Sequence, residues 1–218
     1  AAHLLGRIKG TIVQLLRFMR DGAAASDFEV DALELPIGDE AQGVQPLTVT
    51  TPAGRTIRVS GVIDRVDVLK RGGKTYVCVV DYKTGSKEFR LEDVYCGLNM
   101  QMLIYMDALL KNAKGRYPDA LPAGVLYLKG DPAPKTGPRT GEEGPVFKMD
   151  GLLLQDEGVL RAMYHTGEGV FVPVGFKKDG TLKAGKQLAS RQKMGRIARH
   201  VNRLLAEMAA GVYDGSFD

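Results

Sequence analysis

The chain has 218 residues, 44% of them hydrophobic, and carries a formal charge of +4 from 30 lysines and arginines against 26 acids. That is enough apolar content to bury a core as one domain, and two cysteines, no charged-then-apolar leader and no apolar run near the ~20 residues of a membrane span exclude a disulfide-stapled secreted fold and a membrane protein. A soluble cytoplasmic protein is expected, with a pI near 9.0 that favours a polyanionic partner only mildly.

Residues 4–19 (LLGRIKGTIVQLLRFM) place Leu5, Ile8, Ile12, Leu15, Leu16 and Met19 at helical spacing, with Gly6 and Gly10 weakening the helix. Residues 28–37 (FEVDALELPI) alternate as a strand whose acids are Glu29, Asp31 and Glu34. Residues 47–51, and the chain from Thr56 onward, predict a strand pair turning at Pro52-Ala-Gly54.

Residues 56–69 and 74–84 are rich in Val, Ile, Thr and Tyr, and Lys70-Arg71-Gly72-Gly73 stands between them. Adjacent glycines suit a two-residue hairpin turn, where positive φ is required. With Gly72-Gly73 as the turn, Arg71 pairs with Lys74, each pair steps outward by one residue, and Asp64 comes opposite Asp81. Lys83 then projects on the same side, two residues along. Like charges directly across a hairpin cost roughly 0.2–1 kcal/mol when exposed and more among apolar neighbours such as Val62, Val66, Val77 and Val79. A divalent cation that prefers hard oxygen ligands, Mg²⁺ or Mn²⁺, offsets that repulsion. Lys83 is near enough to serve a water and to neutralise charge on a phosphate. One Asp and one Lys alone read as a salt bridge at a sheet end; the second carboxylate, with Gly61 and Gly85 bracketing the set, favours the metal site.

Residues 91–112 carry Val94, Leu98, Met102, Tyr105, Met106 and Leu109 at helical spacing, which predicts one helix on which Gln101 and Tyr105 share a face. Two readings of that face stand: Gln101 aimed at a phosphate, or Tyr105 as a core aromatic with Gln101 bonding helix to sheet. Residues 124–128 (GVLYL) predict a central strand covered on both faces. Residues 130–145 are too rich in Pro and Gly to pack, so a flexible surface loop is expected. Residues 147–149 and 169–175 (GVFVPVG) predict outer strands around a helix near 156–164. Residues 190–203 predict an amphipathic helix with Met194, Ile197, Val201 and Leu204 on one side and Arg191, Lys193, Arg196, Arg199 and Arg203 on the other, a basic face that is either solvated or in contact with phosphates. His3, His165 and His200 are too far apart in the sequence to suggest a ligand set. This order of elements suits an α/β fold with a mixed sheet, as a single domain over 1–218.

Gly61-Val-Ile-Asp64-Arg-Val-Asp67, then Asp81-Tyr82-Lys83-Thr-Gly85, then Gln101-Met-Leu-Ile-Tyr105 resembles the motif series of RecB-like nucleases in the PD-(D/E)XK superfamily. Within that group the sequence is most similar to the C-terminal nuclease domain of the AddB-type subunit of bacterial ATP-dependent helicase/nucleases. The resemblance implies a restriction-endonuclease-like mixed central sheet flanked by helices, in a fragment of a larger protein. It implies that Asp64 and Asp81 bind Mg²⁺ (or Mn²⁺) with the Tyr82 carbonyl, that Lys83 serves the attacking water, and that Gln101 and Tyr105 belong to the motif on the following helix. In that superfamily an acid from an early element often completes the metal site, which offers Glu29; as an exposed strand residue it needs no such role. DNA as substrate, exonucleolytic hydrolysis in double-strand break repair and recombination, and a helicase-nuclease partner subunit follow from the same resemblance. AddB-type domains also hold an iron–sulfur cluster on one upstream and three clustered cysteines; Cys78 and Cys96 do not match that spacing, so no cluster is expected in this chain. The alternative is a nuclease-fold module that grips DNA or scaffolds a partner without cutting.

Overall fold

The structure, a computed structural model, describes residues 2–39, 41, 44–83, 88–129, 147–165 and 171–216. In chain order these form α1 (Ala2–Ala24), β1 (Glu29–Ile37), β2 (Leu47–Thr50), β3 (Thr56–Val59), β4 (Gly61–Arg71), β5 (Lys74–Lys83), α2 (Leu91–Tyr95), α3 (Gln101–Asn112), β6 (Leu121–Lys129), β7 (Lys148–Leu154), α4 (Glu157–Met163), β8 (Leu188–Ala189) and α5 (Arg191–Asp214). Among the described residues the main sheet runs β1-β4-β5-β6-β7-β8, and β2-β3 form a separate two-stranded sheet. The β5-β6 and β7-β8 pairs are parallel and the other pairs antiparallel, so the sheet is mixed, as expected.

The β4-β5 hairpin turns at Gly72 (φ 57°) and Gly73 (φ 70°), a backbone that side chains with a Cβ rarely adopt. The turn sets the register from Arg71↔Lys74 out to Arg65↔Val80, as the two-glycine reading requires. β5 and β6 are buried almost throughout, and their near-continuous apolar sequence reflects cover on both faces. On one face Val66, Val77, Val79, Val125 and Leu152 pack with Met102, Met106 and Leu109 of α3 and with Ile197 and Val201 of α5. On the other, Leu69, Tyr76, Cys78, Val80, Leu126 and Leu153 pack with Val159, Leu160 and Met163 of α4. Ser190 caps α5 by accepting a hydrogen bond from the Lys193 amide at 3.2 Å.

Several expectations change. Residues 56–69 are not one strand: the chain leaves the small sheet at Ser60 and enters the main one at Gly61. The helix expected over 91–112 is broken, because Gly97 (φ 81°) and Asn99 (φ 56°) are in the left-handed region and the chain restarts its helix at Gln101. Of the strand expected at 169–175, residues 169 and 170 lie outside the described residues, 171–173 form bends and 174–175 are irregular; Pro173 has no N–H to give a ladder, and the nearby pairing among the described residues is one isolated bridge between Phe176 and Leu182. α1 runs beyond Met19 to Ala24, yet Leu5, Ile8, Ile12 and Leu16 of its apolar stripe are exposed. Its packed part is the C-terminal end, where the Phe18 ring lies 5.8 Å from Phe147 and 4.5 Å from Phe171. The loop expected at 130–145 lies outside the described residues. Among the described residues no helix is long and apolar enough to cross a membrane.

Candidate active site

The site forms where the sheet splits. The β4-β5 ladder stops at Arg65↔Val80; beyond it β5 continues beside β6, with Asp81↔Tyr127 and Lys83↔Lys129, while β4 stays with β1 as far as Ile37↔Gly61. At the opening, Asp64 Oδ2 takes the place of a backbone acceptor and receives the Tyr82 amide at 2.9 Å. Asp64 and Asp81 therefore come together at a fork between strands, and not across a regular ladder pair.

Asp81 is only 4% exposed. Burial pushes its carboxyl above the ordinary carboxylate range, the Lys83 ammonium pulls it down, and the negative charge of Asp64 adds to the rise; the net direction is upward. Lys83 Nζ lies 2.7 Å from Asp81 Oδ2. That ammonium is the close polar partner of this buried oxygen, and among the described residues no other group donates to it. Lys83 Nζ donates to Gln101 Oε1 at 3.4 Å and sits 5.8 Å from the Tyr127 ring centre. Burial, with the charges of Asp81 and Asp150, pushes the Tyr127 hydroxyl up to about 12. Gln101 Nε2 in turn donates to Tyr105 Oη at 3.1 Å. A Cβ on Gly61 would lie 2.6 Å from that Tyr105 oxygen, so the glycine makes room for the tyrosine. Tyr105 packs against the core and Gln101 bonds helix to sheet through Lys83, which is the second reading of that face.

Glu29 is not brought to this site. It is exposed and stands beside Val68, four residues along β4 from Asp64 and roughly 13 Å away at the rise of a strand. Two other groups near the fork went unassigned in the sequence. Asp150 pairs with Tyr127 in the ladder, next to Asp81, and its carboxylate accepts from the Phe89 amide at 2.8 Å and approaches Lys129 at 3.6 Å. Arg65 and Asp67 form a two-pronged ion pair on the opposite face, at 2.6 and 2.7 Å. Their spacing of two on a strand was a usable signal, since it puts them on one face and leaves Asp64 off it. Burial pushes Asp67 up against the pull of Arg65; burial also works to lower the Arg65 guanidinium, but Asp67 and Tyr82 outweigh it and hold it up.

The residues at the fork fit a divalent cation. Among the described residues no three or more His, Cys, Asp or Glu side chains converge, and Mg²⁺ commonly takes one or two carboxylates and fills its remaining positions with water. Asp81 Oδ2, buried and met among the described residues only by the Lys83 ammonium, and the Asp64 oxygen not held by Tyr82 are hard acceptors with capacity to spare. Cys78 is buried in the far-face core, where burial pushes its thiol up, and Cys96 is exposed at the end of α2.

A six-stranded mixed sheet flanked by helices is the architecture of a restriction-endonuclease-like fold. The sequence profile of the PD-(D/E)XK nuclease superfamily matches residues 2–216, and the chain belongs to that superfamily. Nucleases of this superfamily generally use divalent metal ions. The chain is 33% identical, over 229 aligned positions covering 100% of it and 20% of the relative, to the B-type subunit of the ATP-dependent helicase/deoxyribonuclease of Clostridium perfringens (strain ATCC 13124). The corresponding protein of Desulforudis audaxviator is 34% identical, with 97% of this chain and 19% of the relative covered, and that of Symbiobacterium thermophilum is 33% identical, with 98% and 19% covered. The chain thus spans about a fifth of the length of these relatives.

Proposed function

We propose that this chain is a Mg²⁺-dependent deoxyribonuclease that hydrolyses phosphodiester bonds exonucleolytically, in the cytoplasm, within a helicase-nuclease complex acting in double-strand break repair and recombination. The observation that carries the reading is the buried Asp81 carboxylate, whose Oδ2 is met among the described residues by the Lys83 ammonium alone and which stands beside Asp64. The relatives' names support DNA as substrate and a partner subunit.

Asp64 and Asp81, with the Tyr82 carbonyl, would hold the metal, which would supply Lewis acidity toward the scissile phosphate and ease deprotonation of a nearby water. Tyr82 fixes Asp64 through its amide, which leaves one carboxylate oxygen free to turn toward the metal. Lys83, anchored by Gln101, directs its remaining donors at the attacking water and at charge growing on the phosphate oxygens. Gln101 is held by Tyr105, and Tyr105 by the space above Gly61.

Degradation of linear DNA in Mg²⁺ by the wild type and by the Asp81→Ala and Lys83→Ala variants tests the assignment. Both variants are expected to lose cleavage and to keep DNA binding. Equal cleavage by all three removes the chemistry assigned here, and wild-type binding without metal-dependent cleavage favours the non-cutting module. A Mn²⁺ soak of a crystal is expected to give density between Asp64 and Asp81.

A further inference from the structure

Beyond Asp81 the sheet carries a row of side chains that the chemistry above leaves largely unused. Lys83 of β5 stands beside Lys129 of β6, and Lys129 beside Lys148 of β7. Laterally paired residues project from one face, so the three lysines lie in a line with about 4.8 Å between strands. The line is one step outward from Asp81, Tyr127 and Asp150, which also pair across the same strands. Like charges side by side across a sheet cost roughly 0.2–1 kcal/mol per pair. Acids relieve part of this, with Asp81 at 2.7 Å from Lys83 and Asp150 at 3.6 Å from Lys129.

The outer part of the row opens into a cleft of about 520 Å³ between residues 88–92 and residues 186–193. Arg90, Lys129, Lys148, Lys186 and Lys193 line it, against Glu88, Glu92 and Asp150. Asp150 is already committed: its carboxylate accepts from the Phe89 and Gly151 amides at 2.8 and 2.9 Å and so fastens the wall to the floor. Phe89 also lines the cleft, with its ring 6.2 Å from that of Tyr127. A basic groove with an aromatic side chain is the combination that holds single-stranded nucleic acid, cations following the backbone and the ring meeting a base. The volume falls in the range of small-ligand pockets, room for a short stretch of one strand. The basic side of α5 divides here: Lys193 faces the cleft, whereas Arg203 is paired with Glu207 at 3.0 Å.

We propose that this cleft binds the sugar-phosphate backbone of one DNA strand, with Lys129, Lys148, Lys186 and Lys193 on its phosphates and Phe89 against a base. It rests on the nuclease reading for where the strand leads: the Lys83 end of the lysine row is the fork at Asp81.

The test is fluorescence anisotropy of a labelled oligodeoxythymidine in EDTA, with the Lys148→Ala/Lys186→Ala double variant and with Arg203→Ala, followed by cleavage of linear DNA in Mg²⁺. Both lysines are exposed, so the double variant keeps the fold. Its Kd for the single strand is expected to rise about tenfold, and its log–log salt slope to shrink by about 1.4, roughly 0.7 for each lost phosphate contact. Arg203→Ala changes neither quantity. In cleavage, the double variant shows a raised KM and an unchanged kcat. An affinity and salt slope equal to wild type overturn the cleft, as does an equal loss of affinity for a blunt duplex. Wild-type binding that depends on these lysines, without any Mg²⁺-dependent cleavage, removes the nuclease reading and leaves the cleft standing. Cleavage that is indifferent to them removes the cleft alone.

Discussion

The β4-β5 hairpin carries an aspartate and a cation 2.6–2.7 Å apart on each of its faces, and the two pairs are built differently. On the α4 side, Arg65 and Asp67 share two parallel hydrogen bonds in which each carboxylate oxygen has a donor. On the α3 side, Asp81 and Lys83 make one close approach at a single oxygen, and a second carboxylate is brought near. A buried ion pair with every lone pair answered completes itself. One that answers part of its acceptors and carries a net surplus of negative charge suits a further cation. Residue type does not separate the two, because both are an Asp and a cation two apart on a strand; the satisfaction of their acceptors does.

The comparison breaks first on the α4 side. Arg65→Met leaves Asp67 as an unpaired buried charge, and urea unfolding is expected to show a loss of about 3–5 kcal/mol. The double variant Arg65→Met/Asp67→Leu is expected to recover most of it, since an apolar pair of similar volume removes the desolvation penalty along with the attraction. A loss under about 1 kcal/mol for the single variant, the scale of an exposed pair, would mean that the pair is not buried as described.

The α3 side is expected to respond with the opposite sign. The folded pKa of Asp81 lies above its unfolded value, so its ionised form disfavours the metal-free fold: the penalty is absent below the unfolded pKa and is complete once pH has risen through the folded one. Asp81→Asn should therefore melt at or above the wild-type temperature in EDTA at neutral pH, and the advantage should vanish in acid. Mg²⁺ at one hundred times its Kd adds about 2.7 kcal/mol to the wild type and is expected to add little to Asp81→Asn. A variant that melts lower than wild type in EDTA and still gains fully from Mg²⁺ would place the metal elsewhere.

A smaller effect tests how the lysine is held. Gly61→Ala puts a Cβ against the Tyr105 hydroxyl, which must move and take its hydrogen bond to Gln101 with it. The cleavage rate is expected to fall about tenfold, of the order of 1.4 kcal/mol in the transition state, with the melting temperature nearly unchanged. A large drop in stability with normal cleavage would instead make Gly61 a packing residue.

What the sequence made legible follows from how local each feature is. Gly72-Gly73 dictates its own turn, the turn fixes the register as far as Arg65↔Val80, and that register brings Asp81 and Lys83 to the same end of the hairpin as Asp64. The split of the sheet was not legible, because it depends on β1 and β6 competing for the flanks of the same hairpin, and those strands are distant in sequence. Glu29 misled for the same reason: its strand pairs with β4, but the offset of that pairing, which no local turn sets, carries it to Val68. The break at Gly97 and Asn99 was hidden beneath a helical spacing that runs straight across it. The periodicity of α1 gave the helix correctly and said nothing about whether its apolar stripe would be covered.

The smallest expected effect comes from a third pair, which sets a surface reference for the two in the hairpin. Asp31 on β1 accepts hydrogen bonds from Tyr117 at 2.7 Å and from Arg116 at 3.0 and 3.1 Å, with its side chain 39% exposed. Partial burial raises its pKa, but those donors outweigh it and hold the carboxyl below its ordinary value. The sign is opposite to that of Asp81. Its contribution is present above the unfolded pKa near 3.9 and is lost as pH falls through the folded value. Solvent screening keeps it small. Asp31→Ala is expected to melt slightly below wild type at pH 7, with the gap closing as the pH drops below about 4. A gap that stays constant to the acid limit would mean that the loss comes from packing and not from charge. The graded exposure of the three pairs would then fail to order their response to pH, although the second carboxylate beside Asp81 would still set that site apart.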